Sequence, residues 1–307
     1  MQTILGANGV IGNAIAKALP KYTDRIRLVS RTPEKVNATD ELFPADLTDR
    51  KQTEQAVAGS EIVYLTVGLP YKIKVWQEQW PEIMGNVISA CKLHHAKLVF
   101  FDNVYLYGKV DGWMTEETPV KPTSKKGEVR ARIAEMLMNE VAKEGISALI
   151  ARAADFYGPT QLSFATVMVF DKFAKGKSAQ WMLCDGCRHS FTYTPDAGKA
   201  TALLGNNSEA YNQVWHLPTD KNVMTGTEFI TAVAKAYGVE PKYSVLKKWF
   251  LQILGLFIPV IGESIEMLYQ NDSDYLFDSS KFEKSFEMKP TTYPEGIAAT
   301  LKSLAEK

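Results

Sequence analysis

The segment Gly6-Ala7-Asn8-Gly9-Val10-Ile11-Gly12 spaces three glycines as GxxGxxG. Gln2 to Gly6, leading into it, reads as a strand that starts almost at the first residue. After it, Val10, Ile11, Ala14, Ile15, Ala18 and Leu19 recur at helical spacing until Pro20 stops the helix. A strand, a glycine turn and a helix in that order form the setting of a dinucleotide site. One glycine permits the tight turn, another lets backbone approach a pyrophosphate, and the last lets helix and strand pack closely. The helix N-terminus then faces the phosphates. The plainer alternative is a tight strand-to-helix turn that holds no ligand.

Outward from this turn, apolar runs alternate with helical patterns. Arg25–Val29 reads as a second strand, and a short third ends near Asp46. Thr48 and Asp49 are N-cap candidates for a helix ending at Gly59. Ile62–Val67 is a continuous apolar run, as expected of a strand buried on both faces. A helix over about 75–93, a strand at 97–101, a helix over about 124–143 and a strand at 147–151 follow. Such alternation predicts right-handed crossovers and an α/β fold with a doubly wound parallel sheet, the Rossmann fold. After about residue 155 the alternation loosens. His189–Tyr193 reads as a late strand returning to the sheet, with Pro195 opening a helix to Leu204. The remainder reads as a smaller, mostly helical C-terminal domain. The expected division is 1–155, with a returning segment at about 188–216, and an interleaved substrate domain over 156–307.

The end of the second strand discriminates between cofactors. An NAD site usually places Asp or Glu there for the ribose 2′-hydroxyl. This chain has Ser30-Arg31-Thr32-Pro33, with Lys35 nearby. Arg31 suits a 2′-phosphate through charge-assisted bonds, and Ser30 adds a hydroxyl. The expected cofactor is therefore NADP, with NADPH favoured over NADH; the alternative for Arg31 is a solvated surface side chain. Asp46-Leu47 closes the third strand, where the carboxylate either accepts from an adenine amino group or caps the next helix. The expected cofactor contacts are Gly6, Asn8, Gly9, Val10, Ile11, Gly12, Ser30, Arg31, Asp46, Leu47, Thr66, Val67 and Gly68.

Composition excludes several classes. Among 307 residues, 46% are hydrophobic and 23% charged, an ordinary globular balance. Lys plus Arg is 35 and Asp plus Glu is 35, so the whole chain carries no electrostatic footprint for nucleic acid or an acidic membrane, though local patches are left open. Three cysteines are too few for a disulfide framework and point to a reducing compartment. Met1–Gly6 shows no basic leader, and the longest apolar stretch, Trp249–Gly262, falls short of the roughly 20 residues that span a bilayer. The expectation is a cytoplasmic protein without membrane insertion.

Several segments together resemble the extended short-chain dehydrogenase/reductase superfamily, and within it the atypical NAD-dependent epimerase/dehydratase-like proteins. These are the glycine turn, Asp46-Leu47, Val104-Tyr105-Leu106-Tyr107-Gly108, Arg152-Ala-Ala-Asp-Phe-Tyr-Gly-Pro159, Phe191-Thr-Tyr-Thr-Pro-Asp196, and Lys289-Pro290 with Glu295-Gly296. The resemblance implies a Ser or Thr after the fifth strand and a Tyr-x-x-x-Lys pair on the next helix. There the Tyr exchanges a proton, the Lys lowers its pKa and holds the nicotinamide ribose, and the Ser orients a substrate carbonyl. Here Asn103 falls at the Ser position, Lys126 at the Tyr position and Arg130 at the Lys position. Asn103 can still hydrogen-bond a carbonyl. Arg130 can present a cation but does not readily give up a proton. Lys126 acts as a base only if its pKa is strongly lowered. Orthodox Tyr/Lys proton transfer is not supported by these residues. Tyr105…Lys109 and Tyr243…Lys247 have the right spacing in the wrong places. Of Tyr105, Tyr107 and Tyr157, which follow the fifth and sixth strands, Tyr105 is the candidate replacement phenol.

Three functions follow as expectations. The first is an NADP-binding oxidoreductase acting on a carbonyl or alcohol carbon of a small molecule. The second is a non-catalytic NADP sensor or binding module, motivated by the altered Tyr and Lys positions. The third is an epimerase or dehydratase acting on a sugar nucleotide. Cys184-Asp-Gly-Cys187 with His189 reads as two ordinary loop cysteines, because structural zinc needs about four ligands; no metal is expected. His216 reads as core or pocket wall. Lys247-Lys248-Trp249-Phe250-Leu251 and the run to Gly262 read first as a helix buried in the second domain. Otherwise that stretch lines a hydrophobic pocket, forms a homodimer surface, or suits a membrane interface.

Overall fold

Seven short runs form one parallel sheet in a computed structural model, which describes residues 1–159 and 163–306. They are β1 (Gln2–Leu5), β2 (Ile26–Ser30), β3 (Glu41–Pro44), β4 (Ile62–Leu65), β5 (Lys97–Asp102), β6 (Ala148–Arg152) and β7 (Val214–His216). Their spatial order is β7-β6-β5-β4-β1-β2-β3. Gln2 lies opposite Ile26 on one side and Ile62 on the other, so β1 is hydrogen-bonded in both directions. The order reverses between β1 and β4. Ligands in open α/β sheets bind outside the carboxyl ends of the strands at such a switch point.

Five helices serve this sheet: α1 (Val10–Ala18), α2 (Arg50–Val57), α3 (Ile73–Leu93), α4 (Lys125–Ala142) and α5 (Thr194–Gly205). Strand residues Leu65, Leu98 and Phe100 pack with Trp80, Met84 and Val87 of α3 and Ile133 and Leu137 of α4 in one apolar cluster. Elsewhere α1 and α5 meet closely: a Cβ on Gly198 would lie 2.5 Å from the Cβ of Ala14. Asp49 caps α2, accepting from the Gln52 amide at 2.9 Å.

The chain divides into two compact units. Met1–Leu106, Lys125–Ala153 and Ala197–Leu217 make the sheet unit; Tyr107–Ser124, Ala154–Asp196 and the chain from Pro218 onward make the other. The second unit carries α6 (Gly226–Tyr237), α7 (Lys248–Phe257), α8 (Pro259–Ser264) and α9 (Tyr293–Ala305), with three two-stranded parallel ladders. Its core is aromatic, built on Tyr157, Phe170, Trp181, Phe191, Phe229 and Tyr293. Helices α6 and α9 each begin with a capping box, Thr225 with Glu228 and Thr292 with Glu295.

Three expectations change. Phe191–Tyr193 does form a strand, but it pairs with Asp155–Tyr157 in a separate ladder. The strand that returns to the main sheet is β7, through Trp215 opposite Ala151. Cys184 and Cys187 are joined by a disulfide, so they are not two independent loop cysteines; three residues of separation bring their Cα atoms to 5.4 Å. The stretch from Lys247 to Gly262 is not buried in the second domain: Leu251 is the buried side chain of α7, and α8 buries none.

Candidate active site at the carboxyl edge of the sheet

The glycine turn sits where β1 ends. Gly6 has φ of +103°, and a Cβ there would lie 2.6 Å from the Val67 amide nitrogen. A Cβ on Gly12 would lie 2.8 Å from the Gly6 carbonyl oxygen and 3.2 Å from Thr66 Oγ1. Both positions need glycine, the first for its φ and its contact, the second for contact alone. No side chain caps the N-terminus of α1, and its first turn holds no acidic residue. An uncapped helix start leaves amide donors and a positive dipole end for an anion. Thr66 braces the turn, its amide donating to the Leu5 carbonyl at 2.8 Å and its hydroxyl to the same oxygen at 3.2 Å. A Cβ on Gly68 would meet nothing within 4 Å, so the space beside it is open.

Asn8 stands at φ +73° and spends its side chain on the chain itself. Nδ2 donates to the Thr32 carbonyl at 2.6 Å, and Oδ1 accepts from the Glu34 amide at 3.0 Å. It thereby ties the glycine turn to the loop after β2. That loop is held again by buried Asp40, which accepts from the Val36 and Asn37 amides. Ser30 accepts from the Thr32 amide, and Arg31 is exposed on the braced loop. Asp46 is exposed and accepts from the amide and hydroxyl of Thr48; the cap of α2 is Asp49. Leu47 is buried, its carbonyl taking bonds from Thr53 and Asn86.

The end of β5 carries a buried cluster of charge. Asp102 and Arg152 are paired positions on neighbouring parallel strands. Asp102 Oδ2 accepts from Arg152 Nε at 3.2 Å and Nη2 at 3.1 Å. Oδ1 accepts from Arg130 Nε at 2.7 Å, from Arg130 Nη2, and from the Asn103 amide at 2.8 Å. All three charged side chains are buried. The Arg130 guanidinium also lies 4.5 Å from the Trp80 ring centre and 4.9 Å from that of Phe100. Burying charge is tolerable because each guanidinium donates to the carboxylate and Arg130 gains aromatic faces.

The four predicted catalytic residues fall around this cluster. Asn103 Oδ1 accepts from the Tyr105 amide at 3.1 Å, which leaves the amide nitrogen as its donor end. Tyr105 is partly buried and stacks on Trp76 at 6.3 Å. Arg130 is not a cation offered at the surface; it is committed to Asp102. Lys126 is fully buried one turn earlier on α4, with Nζ 4.6 Å from the Tyr71 ring centre. Tyr157 lies in the aromatic core of the other unit, where burial raises its phenol pKa and Phe191, Tyr193 and Tyr293 surround it. The two stray Tyr-x-x-x-Lys spacings are otherwise engaged: Lys109 pairs with Asp272 at 2.6 Å and Tyr243 donates to Asp185 at 2.9 Å. His189 pairs with Asp155 at 2.9 Å and stacks on Tyr275. Among the described residues no group of His, Cys, Asp and Glu could hold a metal ion.

Asp102, Arg152, Trp80 and Tyr71 were absent from the expected site. A signal for two of them existed: Asp102 and Arg152 each end a continuous apolar strand with a charge. Only pairing of the strands shows that those charges meet.

Among curated proteins no sequence matches the chain. Solved structures resemble it over nearly its full length. A double mutant of the dTDP-glucose 4,6-dehydratase DesIV of Streptomyces venezuelae, with NAD bound, is 15% identical with a TM-score of 0.82, covering 100% of this chain and 97% of its own. The UDP-glucose 4-epimerase of Thermus thermophilus, in complex with NAD, is 18% identical at 0.79, covering 99% of each. The UDP-glucuronic acid 4-epimerase of Bacillus cereus, also with NAD, is 18% identical at 0.79, covering 100% and 99%. At these identities the likeness establishes the fold. The sequence model of the NAD dependent epimerase/dehydratase family matches residues 3–215, about two thirds of the chain and its main sheet but for Gln2 and His216, and the chain belongs to that family.

Proposed function

We propose that the chain is a nicotinamide-dinucleotide-dependent oxidoreductase that prefers NADP and acts on a carbonyl or alcohol carbon of a small molecule. The observation that carries the dinucleotide is the uncapped start of α1, framed by glycines at 6, 9 and 12 and set at the switch point of the sheet. Gly6, Asn8, Gly9, Val10, Ile11 and Gly12 would hold the pyrophosphate, and Thr66, Val67 and Gly68 would flank it. Asp46 and Leu47 would hold the adenine. Family membership supports NAD in general; the preference for NADP rests on Ser30 and Arg31, with no carboxylate at the end of β2.

When bound, the nicotinamide supplies or takes the hydride. The chain supplies orientation and charge. Asn103 donates its amide N–H to the substrate oxygen, and Tyr105 exchanges the proton there. Arg130, buried and held by Asp102 through Nε and Nη2, would act on the ribose through its charge. Lys126 adds positive charge beside Tyr71. The burial of Lys126 and Arg130 also favours a second reading, an NADP-binding module without turnover. A sugar-nucleotide epimerase or dehydratase is a third, supported by the family and by the enzymes named above.

Calorimetric titration with NADPH and NADH at two salt concentrations tests the cofactor. The expected result is NADPH tighter by about tenfold, an advantage removed by Arg31→Ala and reduced by salt. Equal affinity removes the role of Arg31, and no binding by folded protein removes the dinucleotide. Turnover is then assayed on carbonyls, alcohols and UDP- and dTDP-sugars. NADPH oxidation lost in Asn103→Ala supports the oxidoreductase. Binding without turnover on every substrate selects the module, and conversion of a sugar nucleotide selects the third reading.

A further inference from the structure

Between Trp249 and Val260 the chain turns large apolar side chains to solvent. Leu256 is 81% exposed, Phe257 77%, Trp249 63% and Val260 58%, with Ile253 and Ile258 also exposed. The cause is the way α7 and α8 meet. They touch backbone to backbone at two glycines, where a Cβ on Gly262 would lie 2.7 Å from the Gly255 carbonyl oxygen. So close an approach leaves no room between the helices for large side chains, which stand on the outside. A contiguous apolar face of this kind marks an interaction site in a water-exposed protein.

The charges beside it identify the partner. From Lys242 to Ser264 the sequence holds Lys242, Lys247 and Lys248 against one acid, Glu263 near the end of α8, and Lys242 is itself paired with Glu240 at 3.0 Å. Lys247 and Lys248 are exposed and adjoin Trp249 at the start of α7. Lysines flanking a Trp/Phe/Leu face suit the boundary between anionic headgroups and acyl chains. With 10 residues, α7 is about 15 Å long. That is half a hydrocarbon core, so it lies on a bilayer and does not cross it. A second copy is the poorer occupant. A two-fold contact would set this face against itself and gather Lys247 and Lys248 of both copies, with Glu263 the one carboxylate of the hairpin on each.

We propose that the α7–α8 hairpin is a docking face for an anionic lipid surface, seated through Trp249, Leu256, Phe257 and Val260 and attracted through Lys247 and Lys248. Flotation of the full chain with phosphatidylcholine vesicles, with and without phosphatidylglycerol, tests this. The expected result is flotation with the anionic vesicles that weakens as salt rises. Leu256→Gln with Phe257→Gln should abolish it. Lys247→Gln with Lys248→Gln should weaken it on the order of tenfold on anionic vesicles only. Both variants should keep the parent's melting temperature, since every changed side chain is exposed. Absence of flotation overturns the proposal. So does flotation that survives Leu256→Gln/Phe257→Gln, or a dimer in light scattering that the same variant converts to monomer without any vesicle binding by the parent.

Discussion

The carboxyl edge of β5 and β6 hides charge, whereas the α7–α8 hairpin displays apolar surface. Each inverts the usual placement of residue types, and the two inversions have different physics. At the strand edge, Asp102, Arg130 and Arg152 offset one another's desolvation within a few ångströms. The hairpin has no such internal remedy. Apolar surface is compensated only by removal from water, and among the described residues nothing covers Leu256 or Phe257. The buried cluster is therefore coupled to the fold, and the hairpin face is separable from it.

The largest effect should come from breaking the first region. Asp102→Asn leaves two buried guanidiniums facing an amide and should cost about 3–5 kcal/mol in urea unfolding. Removing the whole cluster, with Asp102→Leu, Arg130→Met and Arg152→Met together, should restore stability to near the parent level while leaving turnover abolished. If the triple variant stays as unstable as Asp102→Asn, the cluster holds the fold as well as the site. Next in size is Gly12→Val, whose side chain meets the Gly6 carbonyl; a loss of about 1–3 kcal/mol is expected, with NADPH binding lost in calorimetry. Thr225→Ala removes one half of the α6 capping box in the second unit and should lower stability by about 1 kcal/mol in thermal unfolding. The smallest effect belongs to Leu256→Gln with Phe257→Gln, within about 0.5 kcal/mol of the parent. A larger loss would show that the hairpin face supports the fold, and the contrast between the regions would fail.

Much of the sheet unit is legible in the sequence. Periodicity and glycine spacing are local, so the strands from Gln2–Leu5 to Ala148–Arg152 emerge within a few residues of their ends. Asp49 is recognisable as a cap for the same reason. The second unit resists because its strands are short and pair over long separations: Tyr243–Leu246 finds Ala179–Met182, and Leu276–Phe277 finds Trp113–Met114. No period in a three-residue strand distinguishes its partner, and His189–Tyr193 accordingly reads toward the wrong sheet.

What the sequence alone determined is the dinucleotide-type sheet and its glycine turn. These are statements about order along the chain, where residue type and spacing suffice. Only the tertiary structure decided that Arg130 is held by the aspartate at the end of β5, that Lys126 lies against an aromatic ring, that Cys184 and Cys187 are bonded, and that the apolar run after Lys248 faces water. Each depends on which segments meet in space. An apolar helix reads alike whether it is buried or exposed, because hydrophobicity records a preference for leaving water and not whether a neighbour is there to provide it.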